Sequence, residues 1–423
     1  MLLHSASQLL TLPGGPQRGS RLGQLGLIED GAVLIRDGLI AELGPSPVLI
    51  EKYPDEEKLD ARGRAVLPGF VDAHTHLVWA GDRAAEFEQR LQGKTYLEIL
   101  EAGGGILSTV RASRAASLEH LVAEALPRVR SAFAQGSTTI EAKTGYGLEL
   151  EAELKLLEAL LRLDEAGPWD LAFTFLAAHA VPPEFEGRAD EYARHVAADM
   201  LPALKDWWAQ KAAGRPLPFV DVFTETGAFD LAQSRLILEA AQALGFPLKV
   251  HADEFDNLGG AGLAMELGAA SVDHLVATSK EEIAQFGQSD TVAVALPGTP
   301  FGLAEGGYTP AQAIIAADGI LAVASDLNPG TAWGESLQFA LALACRYMRL
   351  TPAQAIAAAT VNAAAAIGRA DELGSLEVGK QADLLILNEA DYRHLGYRFG
   401  TNLVHTVIKK GVAHQVRPDY DFD

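Results

Sequence analysis

Residues 67–83 read LPGFVDAHTHLVWAGDR, and the reading of this stretch decides the rest of the chain. An apolar run leads into His74 and His76, two residues apart. Side chains at i and i+2 on a strand point to the same side, about 7 Å apart along the backbone. Both imidazoles could then converge on one ion, although two ordinary polar residues where a strand meets a loop share that pattern. Downstream, seven more short apolar runs follow: TTIEAKTGY, AFTFLAAHA, FVDVFTE, PLKVHADE, SVDHL, TVAVALP and ILAVASDLNPG. Amphipathic stretches such as LEAELKLLEALLRLDEAG and LAQSRLILEAAQALG alternate with them. Short apolar strands alternating with helices predict a parallel sheet covered on both faces. Eight such strands over roughly 300 residues favour an α/β fold of the (β/α)8 TIM-like barrel type. An open doubly wound sheet competes, but its G-x-G-x-x-G fingerprint after an early strand is missing. Gly103, Gly104 and Gly105 lack that spacing and read as a loop.

The two ends of the chain have a different texture. GAVLIRDGLIAELG alternates apolar and polar residues around an Asp-Gly pair, the signal of a hairpin. GSLEVGKQADLLILN and HTVIKKGVAHQV repeat that texture near the C-terminus. The expected organisation is therefore a small β-sandwich built from residues 1–66 and 371–423, flanking a barrel over residues 67–370.

Bulk properties narrow the function classes. The 423 residues carry 34 Lys+Arg against 56 Asp+Glu, a net charge of −22. A field of that sign repels phosphate backbones and anionic lipid, so neither nucleic acid nor membrane is an expected partner. An anionic small molecule would need locally placed cations. Cys345 is the only cysteine, which rules out an intrachain disulfide and suits a reducing cytoplasm. No run of 18 apolar residues and no secretory signal pattern is visible, and a cytoplasmic location is the expectation.

A barrel gathers its active-site residues at the C-terminal ends of its strands. Five of the eleven histidines fall there: His74, His76, His179, His251 and His274. Tyr146, Glu254 and Asp326 occupy comparable positions. His74, His76 and His251 with Asp326 make three nitrogens and one carboxylate, a set suited to one Zn²⁺ or iron ion with an open position for water. Asp326 could instead cap a turn before Pro329-Gly330. Glu254 and His274 are the candidates for proton transfer beside such a site. A rim salt bridge for Glu254 and an outer hydrogen bond for His274 are the alternatives. Arg83 could clamp a carboxylate through its planar fork, or pair with Asp82 or Glu86 at the surface. Tyr146 could bond substrate or pack under its loop. Lys143 invites comparison with the carboxylated lysines of two-metal barrels, but those belong on the fourth strand, and FVDVFTETGAF has no lysine. A single-metal site is expected.

With PGFVDAHTH, HADE, DHL and SD in this order, the chain resembles the amidohydrolase superfamily. GSLEVGKQADLLIL is similar to that superfamily's return to its small β-sandwich. HTHLVWAGDR, EAKTGYGL, FLAAHAVPPE, HADEFDNLGGA, VDHL and ASDLNPGT narrow the resemblance. They are similar to the branch that opens the cyclic amide of 4-imidazolone-5-propanoate with water in L-histidine degradation. N-Formimidoyl-L-glutamate is the product that this resemblance implies. It also implies one zinc or iron ion (Fe²⁺ or Fe³⁺) on His74, His76, His251 and Asp326. Substrate contacts are implied for Arg83, Tyr146, His179, Glu254, Asn328, Gly330 and Thr331, with His179 helping the metal stabilise an oxyanion. Glu254 or His274 is implied as the proton carrier, and a homodimer as the assembly. Thr224, in DVFTE, departs from the cysteine expected in that branch and lies outside the ligand set. The rival enzyme is a mononuclear deaminase of cytosine- or guanine-type rings, which would not need Arg83 with Tyr146. A catalytically dead scaffold is the rival from another class, and the complete ligand set argues against it.

Overall fold

The computed structural model describes residues 1–94 and 103–416. The end of the C-terminal β segment, residues 417–423, lies outside the described residues. Five strands precede the barrel: β1 (Leu2–Leu9), β2 (Ile28–Arg36), β3 (Leu39–Pro45), β4 (Lys58–Asp60) and β5 (Val66–Pro68). β2 and β3 pair antiparallel across Asp37 and Gly38. Both turn residues have positive φ, 52° and 77°, as the tight hairpin turn matched to strand twist requires. Barrel strands follow as β6 (Phe70–Asp72), β7 (Ser137–Lys143), β8 (Asp170–Ala178) and β9 (Phe219–Thr224). The set is completed by β10 (Lys249–Ala252), β11 (Ser271–His274), β12 (Val292–Ala295) and β13 (Leu321–Val323). The chain ends with β14 (Leu384–Leu387), β15 (Val404–Lys409) and β16 (Val412–Gln415).

Strands β6 to β13 pair in sequence order, each parallel to the next. The ring closes where Thr75 bridges Leu327 in parallel. His76 N donates to Leu327 O at 2.8 Å, and Asp326 N donates to His74 O at 3.1 Å. Asp72 supports the seam from below, its Oδ1 accepting from Ser325 N at 2.9 Å. All eight runs anticipated from sequence are therefore strands of one barrel. The helices between them bury one face, as their periodicity requires. In Leu150–Glu165 that face is Ala152, Leu156, Leu157, Leu160 and Leu163. Leu231–Ala243 starts from a capping box, Asp230 accepting from Gln233 N while the Gln233 side chain accepts from Asp230 N.

Both chain ends meet in one sheet, ordered β16-β15-β14-β5-β1-β2-β3, with β4 beside β1. The pairing is antiparallel as expected, except that β1 runs parallel to β4 and β5. Alternate residues feed opposite faces: Leu3, Val33 and Ile35 join one apolar cluster, Leu2 and Leu34 another. Asp170, at the start of β8, ties this sheet to the barrel. It receives Lys409 Nζ at 2.9 Å, Lys410 Nζ at 2.6 Å and Gln381 Nε2 at 3.1 Å. Burial opposes ionisation of Asp170, but the Lys409 charge and these hydrogen bonds outweigh it and hold the carboxyl below the usual range.

A carboxyl lowered on folding stabilises the native state above its unfolded pKa, about 4, and that contribution fades as pH falls. Asp170→Asn is expected to cost about 3 kcal/mol near pH 7. The gap to wild type should begin to narrow below about pH 5 and go on narrowing well below about pH 3 in urea denaturation. A gap independent of pH would show that the cluster contributes no linked stability.

Candidate active site

The closing seam sets the first three donors. His74 and His76 leave β6 on the same side, and Asp326 leaves β13 directly opposite, hydrogen-bonded to His74 through the backbone. Asp326 Oδ1 lies 3.4 Å from His74 Nε2 and 3.7 Å from His76 Nε2. His251, on β10, brings its Nε2 to 3.3 Å from His76 Nε2. All four side chains are buried. Among the described residues, His74 Nε2 and Asp326 Oδ1 have no hydrogen-bond partner although both are buried. Unpaired polar atoms in an apolar interior cost on the order of 1–3 kcal/mol each, and several aimed at one point are the donor set of a cation. These residues fit a metal ion. His274 and His179 also fall in three-residue groups whose ligand atoms lie within 4.8 Å of one another. Proximity alone therefore does not single out four ligands among the six.

Two donors sit on strained backbone. His274 has φ 83° and Asp326 φ 55°, in the left-handed region that side chains disfavour. Such strain gathers at functional sites, where the surrounding structure enforces it. Thr309 Oγ1 donates to His274 O at 2.5 Å, and Thr299 Oγ1 donates to Asp326 Oδ2, holding each in place.

Burial, then the neighbouring Lys143 and histidines, pushes His74 well below the ordinary imidazole value. Burial likewise leads for His76 and His274. Neutral imidazole is the form that binds metal. Asp326 is raised to about 6, by burial first. Glu254 is raised well above the carboxylate range by burial, then by the charges of Asp326, Glu225 and Glu305. Its Oε2 lies 3.6 Å from His274 Nε2, so the two candidate proton carriers face each other.

His179 stacks on His76 with ring centroids 4.8 Å apart. Its Nδ1 is 3.0 Å from Gly145 O, and a carbonyl only accepts, so the ring proton sits on Nδ1. Burial lowers His179 to about 3, which keeps the ring neutral and leaves Nε2 an acceptor. Donation to an oxyanion, expected from the resemblance, would need a cationic ring. The geometry gives His179 the opposite polarity.

The remaining residues form the mouth. Tyr146 is buried, its ring 5.8 Å from His76 and 5.5 Å from His179. Its loop is gathered by Glu153, whose carboxylate accepts from Gly145 N, Gly147 N and Leu148 N at 2.9, 2.7 and 2.7 Å. Arg83 pairs with Glu86, Nε to Oε2 at 2.7 Å, which is one of its two anticipated alternatives. Its Nη1 nevertheless presses on Gly330, where an added Cβ would lie 2.3 Å away. Arg90 Nη2 donates to Gly330 O at 3.1 Å, so two guanidinium groups meet one glycine. Asn328 spends its amide inside the loop, Nδ2 donating to Asp326 O and Oδ1 accepting from Gly330 N and Thr331 N. It shapes the loop that carries Gly330 and Thr331.

Sequence reasoning missed a layer beneath the histidines. Asp273 Oδ2 meets His74 Nδ1 at 2.6 Å, and Asp221 Oδ2 meets His251 Nδ1 at 2.9 Å. Lys143, read only as a bridging lysine to be dismissed, pairs with Glu141 and Asp221. The signal was there: charged residues at alternate positions of apolar strands, as in Ile140-Glu141-Ala142-Lys143, must point inward when both sheet faces are covered.

Residues 65–413 match the model of the amidohydrolase family, and the chain belongs to that family. A crystal structure of an adenosine deaminase from Xanthomonas campestris with bound zinc shares the fold, with a TM-score of 0.68 and 20% identity. That likeness covers 100% of this chain and 94% of the deaminase. Much nearer in sequence are the imidazolonepropionases, the branch of the family in which this chain falls. The Chloroflexus aggregans imidazolonepropionase is 52% identical over 97% of both chains. That of Herpetosiphon aurantiacus is 50% identical over 97% of this chain and 96% of its own.

Gly330→Ala should displace the Arg83 guanidinium and raise KM for an anionic substrate several-fold, while zinc uptake stays as in wild type. Steady-state kinetics with a zinc titration checks both. An unchanged KM would show that substrate does not use the position Arg83 holds.

Proposed function

We propose that this chain hydrolyses 4-imidazolone-5-propanoate, opening the cyclic amide to give N-formimidoyl-L-glutamate in L-histidine degradation. The observation that carries the proposal is a juxtaposition at one barrel mouth. A buried histidine–aspartate cluster, with donor atoms unpartnered among the described residues, includes Asp326 of the same loop whose Gly330 holds a guanidinium against it. The near relatives named imidazolonepropionase support the substrate. The proposal includes one zinc or iron ion per chain on His74, His76, His251 and Asp326, and a homodimer. It also divides the chain into a barrel unit, residues 67–370, and a β unit, residues 1–66 with 371–423.

Bound there, a divalent cation supplies Lewis acidity and lowers the pKa of water toward neutrality. The chain's own groups do the rest. Arg83 holds the propanoate tail through its Nη nitrogens while Glu86 keeps its Nε in place. His179 Nε2 accepts from a ring N–H and orients the amide. Tyr146 closes one wall, and the loop of Gly330 and Thr331 closes another around the atoms that Asn328 positions. Glu254, raised by burial, takes the proton of the attacking water and returns it to the departing ring nitrogen, with His274 beside it.

Loss of imidazolone propanoate should stop when the protein is stripped by a chelator and resume on adding zinc or iron. Arg83→Ala should raise KM by about 10- to 100-fold, the weight of one charge-assisted contact, without loss of metal. Turnover of cytosine- or guanine-type rings that ignores this change would favour a deaminase. A raised carboxyl keeps its proton to higher pH. The acidic limb of kcat/KM should therefore lie above the ordinary carboxylate range and vanish in Glu254→Gln, with rate falling roughly 100-fold or more. A limb that survives in Glu254→Gln would assign the proton to His274.

A further inference from the structure

Beneath the histidine cluster lies one lysine shared among three carboxylates. Lys143 Nζ is 2.8 Å from Glu141 Oε1, 2.8 Å from Asp221 Oδ2 and 3.7 Å from Asp273 Oδ2, and none of the four side chains is exposed. The two aspartate oxygens it faces are the same atoms that meet the histidines. Asp221 Oδ2 lies 2.9 Å from His251 Nδ1, and Asp273 Oδ2 lies 2.6 Å from His74 Nδ1. A carboxylate only accepts, so the Asp273 contact puts the His74 proton on Nδ1 and leaves its Nε2 bare; the close approach of Asp221 to His251 Nδ1 is an ion-pair contact that favours the same tautomer. Those two Nε2 atoms are the ones that face His76 and Asp326.

We propose that Lys143 is a positioning residue for the metal, one ammonium holding Asp221 and Asp273 and through them fixing the tautomer and ring angle of His251 and His74. Lys143 stands on β7, Asp221 on β9 and Asp273 on β11, so a single side chain couples donors from β6 and β10 on different sides of the barrel. It acts through these side chains and is not itself proposed as a ligand. Lys249 is an internal contrast. It is equally buried, yet its Nζ donates to the carbonyls of Ala73 and Ala366 at 3.3 and 3.1 Å and reaches Asp273 only at 3.9 Å. Burial of a lysine at this depth is common to both; the grip on two histidine-bound carboxylates belongs to Lys143.

The inference rests on the metal reading above, and the test separates the two. The full chain, labelled with ¹⁵N-histidine and stripped by a chelator, should show His74 and His251 as Nδ1–H tautomers by NMR. Zinc affinity, measured against a chelating indicator, should fall about 10- to 100-fold in Lys143→Met. Lys143→Met with Glu141→Gln keeps the buried charge balanced and should show the same loss if the single variant does not fold. Lys249→Met should bind zinc close to wild type. An Nε2–H tautomer at either histidine in the wild-type chain overturns the proposal, whatever the variants do. So do Lys143 variants that bind zinc as tightly as wild type, or a Lys249 variant that loses as much. A wild-type chain that takes up no zinc or iron would instead overturn the metal reading.

Discussion

Two backbone hydrogen bonds close the barrel, from His76 N to Leu327 O and from Asp326 N to His74 O, and the site exists because of them. An open sheet would leave β6 and β13 at opposite edges, far apart. Closure places residues 74–76 against residues 325–327, so that one backbone seam carries three of the converging donors. Parallel strands in register then deliver His251 and His274 from neighbouring positions of the same ring. The seam is at once a structural joint and the floor of the site.

Closure has an electrostatic consequence. A barrel interior is normally filled by layers of branched apolar side chains. Here the layer under the histidines holds Glu141, Lys143, Asp221, Lys249 and Asp273, all without exposure. Bringing such charges out of water costs several kcal/mol each unless they are paired. They are paired, and the pairing orients imidazoles. Apolar residues of similar volume would make a more ordinary core, so the charged layer marks a site where local rules yield to function. The positive φ values at His274 and Asp326 point the same way.

The mouth is built by loops that spend their polar groups on one another. Glu153 gathers three backbone N–H groups under Tyr146, and Asn328 gathers two under Gly330 and Thr331. Glu86 holds Arg83 Nε with one oxygen and receives Gly105 N and Ser108 Oγ with the other. A cleft assembled this way loses little freedom when a ligand enters, which is what preorganisation requires.

The eight strands, the β texture of both ends and the residues at the strand tips were legible in the sequence. Periodicity and strand-end position are local properties, and they were enough to name His74, His76, His251 and Asp326 together. Arg83 was legible as a cation with two possible partners, a substrate carboxylate or a neighbouring acid, but the choice of Glu86 was not, because spacing says nothing about which rotamer a long side chain takes. The direction of His179's hydrogen bond depends on where Gly145 O falls, which no motif records. Asp221 and Asp273 were hidden among apolar neighbours until the barrel closed around Lys143. The sequence by itself determined which chemical groups reach the mouth. Only the tertiary structure decided which nitrogen of each ring faces inward, because that choice belongs to partners tens to hundreds of residues away, brought within 3 Å by closure.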